Sequence, residues 1–117
     1  MTITRLHSNP RLSGAVTFGD LVFLSGQVPG EASDVGGQTR EVLARIDALL
    51  AEAGSHKDQM LSATIYLKNI TDDFAAMNEV WSNWLSPGQA PSRTTVQAEL
   101  ARPQVLVEIT VIAARLK

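Results

Sequence analysis

The sequence predicts an α+β fold, a mostly antiparallel sheet with two helices packed on one of its faces. Three observations predict it. Hydrophobic periodicities of two and of three to four residues follow one another in the order β-β-β-α-β-α-β-β. Gly19-Asp20, a tight-turn dipeptide, separates two apolar runs and so marks a β-hairpin. The final run, VLVEITVIAA, is apolar on both sides, so a second sheet face also asks to be covered. The chain has 117 residues, a length that suits one domain spanning 1–117.

Taken in order, Ile3 to His7 is a short first strand. Ala15 to Phe18 and Leu21 to Ser25 flank the tight turn, and Pro29-Gly30 opens a loop. From about Gln38 to Ala53, Val42, Ile46, Leu49, Leu50 and Ala53 recur at helical spacing, with Gly54 as the residue beyond the helix end. Gly36 and Gly37 weaken the start, so the helix is expected to begin after them. Leu61, Ala63, Ile65 and Leu67 alternate with Ser62, Thr64, Tyr66 and Lys68, the pattern of a half-buried strand. Thr71 is the expected N-cap of the second helix, with Asp72 and Asp73 at its positive end. Phe74, Met77, Trp81 and Leu85 form one stripe of that helix, and Ser86-Pro87-Gly88 stops it. Two strands close the chain, within APSRTTVQAEL and VLVEITVIAA. In the last, Val105, Val107, Ile109 and Val111 are assigned to one face and Leu106 and Ile112 to the other. With no further helix to cover the second face, copies of the same chain in a closed ring are the expected cover.

Composition narrows the function classes. The formal charge is −2, and Lys and Arg are scattered, which argues against a phosphate-backbone partner. The absence of cysteine excludes disulfides and thiolate chemistry. MTITRLHSNP lacks the apolar core of a signal peptide and no stretch has the length of a membrane span, so a soluble, cytoplasmic chain is the expectation. His7 and His56 have no ligand spacing around them, and no metal is expected. Trp81 and Trp84 read as core and interface rather than a base-stacking platform.

Two residues stand out chemically. Arg93 alternates with Thr94, and taking Val96, Ala98 and Leu100 as the packed side puts Arg93 and Thr95 on the opposite, partner-seeking face. A guanidinium there binds a carboxylate bidentately, or else forms a structural ion pair or a solvated edge contact. Glu108 lies mid-strand between Leu106 and Thr110. An unpaired carboxylate is costly to bury, so it either pairs with Arg93, Arg102 or Arg115, or faces a pocket and positions a water. Asn78 lies beside the apolar stripe of the second helix and lines a pocket or is simply solvated.

LSGQVPG, LLAEAGS, ATIYLKNITDDFAAMNEVW, APSRTTVQAEL and VEITVIAARLK, in this order, resemble the RidA/YjgF family, from about Gly14 to the C-terminus. The resemblance implies a chorismate-mutase-like fold assembled as a homotrimer with a central barrel and clefts between subunits. It implies hydrolysis of enamines and imines of the 2-aminoacrylate type to 2-oxo acids and ammonia, without cofactor or metal. The family's carboxylate-binding arginine matches Arg93 and its water-holding glutamate matches Glu108, with the two looking into one cleft walled by two protomers. The cleft's serine-glycine turn matches Ser25 and Gly26, and its helix asparagine matches Asn78. A family cysteine is replaced by Thr95, so a thiol role is gone while backbone contacts persist. A family tyrosine is replaced by Leu12. Asn78 and Leu12 are then expected on the wall opposite Arg93. The N-terminal form and AAMNEVW are closest to the YoaB-like branch. Alternatives are a non-catalytic trimer that binds small carboxylates in the same clefts, a chorismate mutase suggested by fold alone, and an RNA-cleaving protein, against which the acidic balance argues.

Overall fold

The computed structural model describes residues 1–116. Its elements follow the expected order: β1 (Ile3–Ser8), β2 (Ser13–Phe18), β3 (Leu21–Leu24), α1 (Val35–Glu52), a 3-10 turn (Lys57–Gln59), β4 (Met60–Leu67), α2 (Ile70–Trp84), β5 (Ser92–Gln97) and β6 (Val107–Ala114). One sheet holds all six strands in the order β1-β2-β3-β6-β4-β5. Every neighbouring pair is antiparallel except β4 and β5, which are parallel and joined by α2. The last strand in sequence is therefore central, whereas β5 is an edge.

Both helices lie on one face. Val42, Leu43, Ile46 and Leu50 of α1 and Met77 and Trp81 of α2 are buried against Ala15, Val22, Ala63, Ile65, Leu67, Val107, Ile109 and Val111 of the sheet. The opposite face is open and carries apolar side chains in two neighbouring cross-strand rows. Ile3 (48 % exposed), Phe18 (43 %), Phe23 (38 %) and Ile112 (36 %) belong to them, since Ile3 pairs with Phe18 and Phe23 with Ile112. A contiguous apolar surface of this kind marks an interaction face.

Local structure departs from the sequence reading in four places. Helix α1 starts at Val35, with Gly36 and Gly37 inside its first turn, because Asp34 caps it: the Gly37 N–H donates to Asp34 Oδ1 at 3.1 Å. Helix α2 starts at Ile70 rather than after Thr71. Asn69 holds the cap position without a side-chain bond, and the Ile70 N–H donates instead to Gln97 Oε1 of β5 at 3.0 Å. Leu61 is 49 % exposed because a bulge between Met60 and Ser62 turns it off the core face. Leu106 precedes β6 and packs against the core on the helix side rather than on the open face, its N–H donating at 2.8 Å to Oε1 of the buried Gln38. The Gly19 turn and the Gly54 helix end, both at positive φ, lie where the sequence put them.

Candidate functional site

Arg93 pairs in register with Ala63, a buried residue of the helix face, so its side chain leaves the sheet on the helix side. This corrects the expected face of β5. Arg93 and Thr95 point toward α2, while Val96, 39 % exposed, joins the open face and Leu100 borders the Glu108 cavity. Apolarity had been equated with helix packing, but an open face that seeks a partner favours apolar residues too.

The guanidinium is half-buried and held on three sides. Its Nη1 donates to Asn78 Oδ1 at 2.7 Å, and its centre lies 5.8 Å from the Phe74 ring and 5.7 Å from the Trp81 ring. Asn78 is thus a partner of Arg93 within one chain, not part of a wall opposite it. No carboxylate lies within ion-pair distance of Arg93 among the described residues. Burial alone lowers its pKa from the ordinary arginine value, which leaves it a cation. It is therefore neither a structural ion pair nor a solvated edge residue. Among the described residues most of its five N–H donors are uncommitted, so the arrangement is able to receive an anion beside one amide and two rings. From sequence Phe74 reads only as part of an apolar helix stripe and Trp81 as core and interface. The signal available was their spacing with Asn78 at four and three residues, which puts all three on one helix face.

Glu108 pairs with Tyr66, which pairs with Val96, and so belongs to the open face. It lines a cavity of about 380 Å³ with Gly26, Tyr66, Glu99, Leu100, Ala101 and Thr110. None of the expected arginines pairs with it among the described residues. The carboxylate passes directly against Gly26: a Cβ built there meets Glu108 Cδ at 2.9 Å and Cγ at 3.2 Å. The register explains this approach. Phe23 pairs with Ile112 but Gln27 with Ile109, so four steps along one strand match three along the other. The extra residue is a bulge at Leu24–Gly26, which bends this segment toward Glu108. Ser25 is fixed in the bulge, its N–H donating to Gly14 O at 3.0 Å and its hydroxyl to the same oxygen at 3.3 Å. Leu12 lies two residues before Gly14 and is 52 % exposed in the β1–β2 turn, where its N–H donates to Asn9 Oδ1 at 3.0 Å. Tyr66, beside Glu108, was not singled out from sequence, although its place on the polar side of the alternating strand was visible.

The residues therefore form two groups in one chain: Arg93, Asn78, Thr95, Phe74 and Trp81 on the helix side of the β5 edge, and Glu108, Gly26, Ser25 and Tyr66 on the open face. β4 lies between β5 and β6, so Arg93 and Glu108 are not on adjoining strands, and they leave the sheet on opposite faces. A groove of about 820 Å³ between α1 and α2 is lined by neither of them. Among the described residues no three His, Cys, Asp or Glu gather as a metal site, and no helix is long and apolar enough to cross a membrane.

Fold and site together define a small α+β domain that presents a buried-edge cation and an unpaired carboxylate to separate surroundings. The profile of the family described as endoribonuclease L-PSP matches residues 2–115. The chain is 42 % identical over 114 residues to the RutC family protein YoaB of Escherichia coli K12, covering 97 % of this chain and 99 % of that one. It is 39 % identical over 113 residues to a RutC family protein of Haemophilus ducreyi, covering 96 % of each chain. The crystal structure of NMB1025 from Neisseria meningitidis, a member of the YjgF protein family, superposes with a TM-score of 0.98 at 44 % identity, covering 100 % of this chain and 98 % of that one. The chain belongs to the RidA/YjgF family, and its similarity to YoaB places it with that branch.

Proposed function

We propose that the protein hydrolyses small enamino and imino acids of the 2-aminoacrylate type to 2-oxo acids and ammonia, in clefts between copies of the chain. One observation carries this reading: a half-buried guanidinium, aimed by Asn78 and two aromatic rings, with no acidic partner of its own among the described residues. A structural arginine at a sheet edge gains from an ion pair. One left open and pre-oriented serves an incoming carboxylate.

Arg93 and Glu108 leave opposite faces of the sheet, so a cleft that contains both draws them from two protomers. Three copies close a ring, their open faces lining a central barrel and burying the rows of Ile3, Phe18, Phe23 and Ile112. One protomer then supplies Arg93, Asn78 and Thr95, and its neighbour supplies Glu108, Ser25, Gly26 and Leu12.

In this cleft Arg93 anchors the substrate carboxylate and so fixes the C=N carbon. Glu108 holds a water against that carbon. The water oxygen bonds to carbon as the π electrons move to nitrogen, and Glu108 takes the proton that the water releases. The proton passes to the amino group, the C–N bond breaks, and ammonia leaves with the proton of the former hydroxyl as the 2-oxo acid forms. Imines of this kind hydrolyse in water unaided, so orientation and one positioned base suffice. A non-catalytic carboxylate binder would need Arg93 equally. The unpaired Glu108 carboxylate, against which Gly26 leaves no room for a side chain, favours hydrolysis.

Subunit mixing tests this. Arg93→Ala and Glu108→Gln are each expected to lose turnover of 2-aminoacrylate generated in situ. Refolded together in equal amounts, they regain about a quarter of the wild-type sites, the random fraction in which an intact arginine faces an intact glutamate on the next chain. A mixture that stays inactive overturns the two-protomer cleft, and a wild-type protein that accelerates no imine hydrolysis leaves only binding.

A further inference from the structure

The groove of about 820 Å³ between α1 and α2 follows the helix axes. Arg40, Ala44 and Asp47 stand along its α1 wall and Asp73, Ala76 and Val80 along its α2 wall, each set at spacings of three and four. From Gly36 to Asp47 the α1 wall runs about 16 Å, or three turns. The floor is apolar: Val80, Trp84 and Leu106 pack on the core with part of their surface still open to the groove. The Trp84 indole N–H donates to Asp47 Oδ2 at 3.0 Å, which fixes the ring at one end. Ala44 and Ala76, exposed on the two walls, keep the middle wide. The groove shares no lining residue with the Arg93 or Glu108 sites, so what it does stands apart from imine hydrolysis.

The charge of the groove is one-sided. Asp34, Asp47, Asp73 and Glu79 line it against a single cation, Arg40. None of the four carboxylates has an ion-pair partner among the described residues. The whole chain carries a formal charge of only −2, so acid is concentrated here rather than spread. Burial first, then the neighbouring Asp72, raises the pKa of Asp73 above the ordinary aspartate value, the response of a carboxylate short of a cation. Helix N-termini answer part of the charge of Asp34 and Asp73, but Glu79 and Asp47 lie beyond their first turns. We infer that this groove docks a basic amphipathic helix of a partner protein, its apolar stripe on Val80, Trp84 and Leu106 and its lysines or arginines against the carboxylates of both walls. Three turns of groove suit a helix, the two alanines let its backbone come close, and the acidic rim selects the sign of its charge. A second copy of this chain does not supply the occupant. Its α2 has no Lys or Arg, and the acids of its α1 outnumber Arg40 and Arg45.

The probe is a helical peptide of about 18 residues, made of leucine, alanine and lysine with one apolar stripe. Its controls are the same residues shuffled to remove the stripe, and the striped peptide with glutamate for lysine. Binding is read by calorimetry and by tryptophan emission, to which the groove contributes Trp84. The striped basic peptide is expected to bind, and both controls at least about tenfold more weakly. Glu79→Lys reverses one wall charge, and Ala76→Gln places a neutral side chain in the middle of the groove. Both positions are exposed, so the fold and Tm are expected to hold. Each is expected to weaken the striped peptide about tenfold, whereas Asp72→Lys, a charge reversal outside the groove, leaves it within about threefold. No binding of the striped peptide, or equal binding of the shuffled one, overturns the inference. Equal losses in Asp72→Lys and Glu79→Lys reduce the effect to bulk charge and overturn it as well. Tryptamine bound in a Glu79-dependent way where the peptide fails assigns the groove to a small cation instead. A wild-type mass that rises with concentration, and does not in Ala76→Gln, assigns it to a second copy. Either result also overturns the docked helix.

Discussion

Gly26→Ala is the sharpest single perturbation of the carboxylate side. The backbone at Gly26 is not in the left-handed region, so alanine introduces no torsional strain. The effect is confined to the new methyl, which meets Glu108 Cδ at 2.9 Å and Cγ at 3.2 Å. Contacts this short force the carboxylate aside by about 1 Å, and a misplacement of that size costs on the order of 100-fold in rate. Stability changes less. Overpacking costs about 1–3 kcal/mol, and the loss of glycine's freedom in the unfolded chain returns about 0.4–1 kcal/mol, so a net destabilisation of about 0–2.5 kcal/mol is expected. The assay pairs imine turnover with thermal unfolding in a double-mutant cycle. Glu108→Ala removes the atoms that the methyl strikes, so Gly26→Ala is expected to destabilise the wild type but not the Glu108→Ala background. Full activity in Gly26→Ala, or the same destabilisation in both backgrounds, would refute the claim that this glycine makes room for the carboxylate.

Two further outcomes are expected. The Glu41 carboxylate accepts N–H bonds from Ala32, Gly30 and Glu31 at 3.0, 3.2 and 3.1 Å. The bond from Ala32 is the main cause of a pKa held below the usual glutamate value. A depressed carboxylate stabilises above its unfolded pKa and loses that contribution as pH falls through the folded one. The Tm advantage of wild type over Glu41→Gln is therefore expected at neutral pH and to vanish on acidification below about pH 4. On the open face, Phe23→Glu sets charges against the apolar rows, and light scattering is expected to report the mass of one chain where wild type gives the mass of an assembly.

The order of elements was legible because period two and period 3.6 are strong signals and turn chemistry punctuates them at Gly19 and Gly54. Boundaries set by a distant partner were not. Helix α2 begins two residues earlier than local capping rules suggest because a glutamine from β5 satisfies its first N–H. The bulges beside Leu61 and Gly26 depend on pairing across the sheet, which no local pattern records. Arg93 and Glu108 were recognisable as residue types out of place, and the resemblance supplied their roles. The face of the sheet that Arg93 occupies was misjudged. Alternation tells which residues share a face, but not which face the helices cover when both are apolar. The aromatic cradle of Arg93 escaped because rings at helical spacing read first as core.

The position of β6 between β3 and β4 sets an order of events during synthesis. The anion side, Arg93 with Asn78, Phe74 and Trp81, lies within the contiguous run of residues 60–97 that makes β4, α2 and β5, so only short-range closure is required to assemble it. The acid side joins Gly26 to Glu108 across most of the chain, and forms only when the last strand to leave the ribosome inserts at the centre of the sheet. The surroundings of Arg93 are thus local in sequence, whereas those of Glu108 wait for the C-terminal strand.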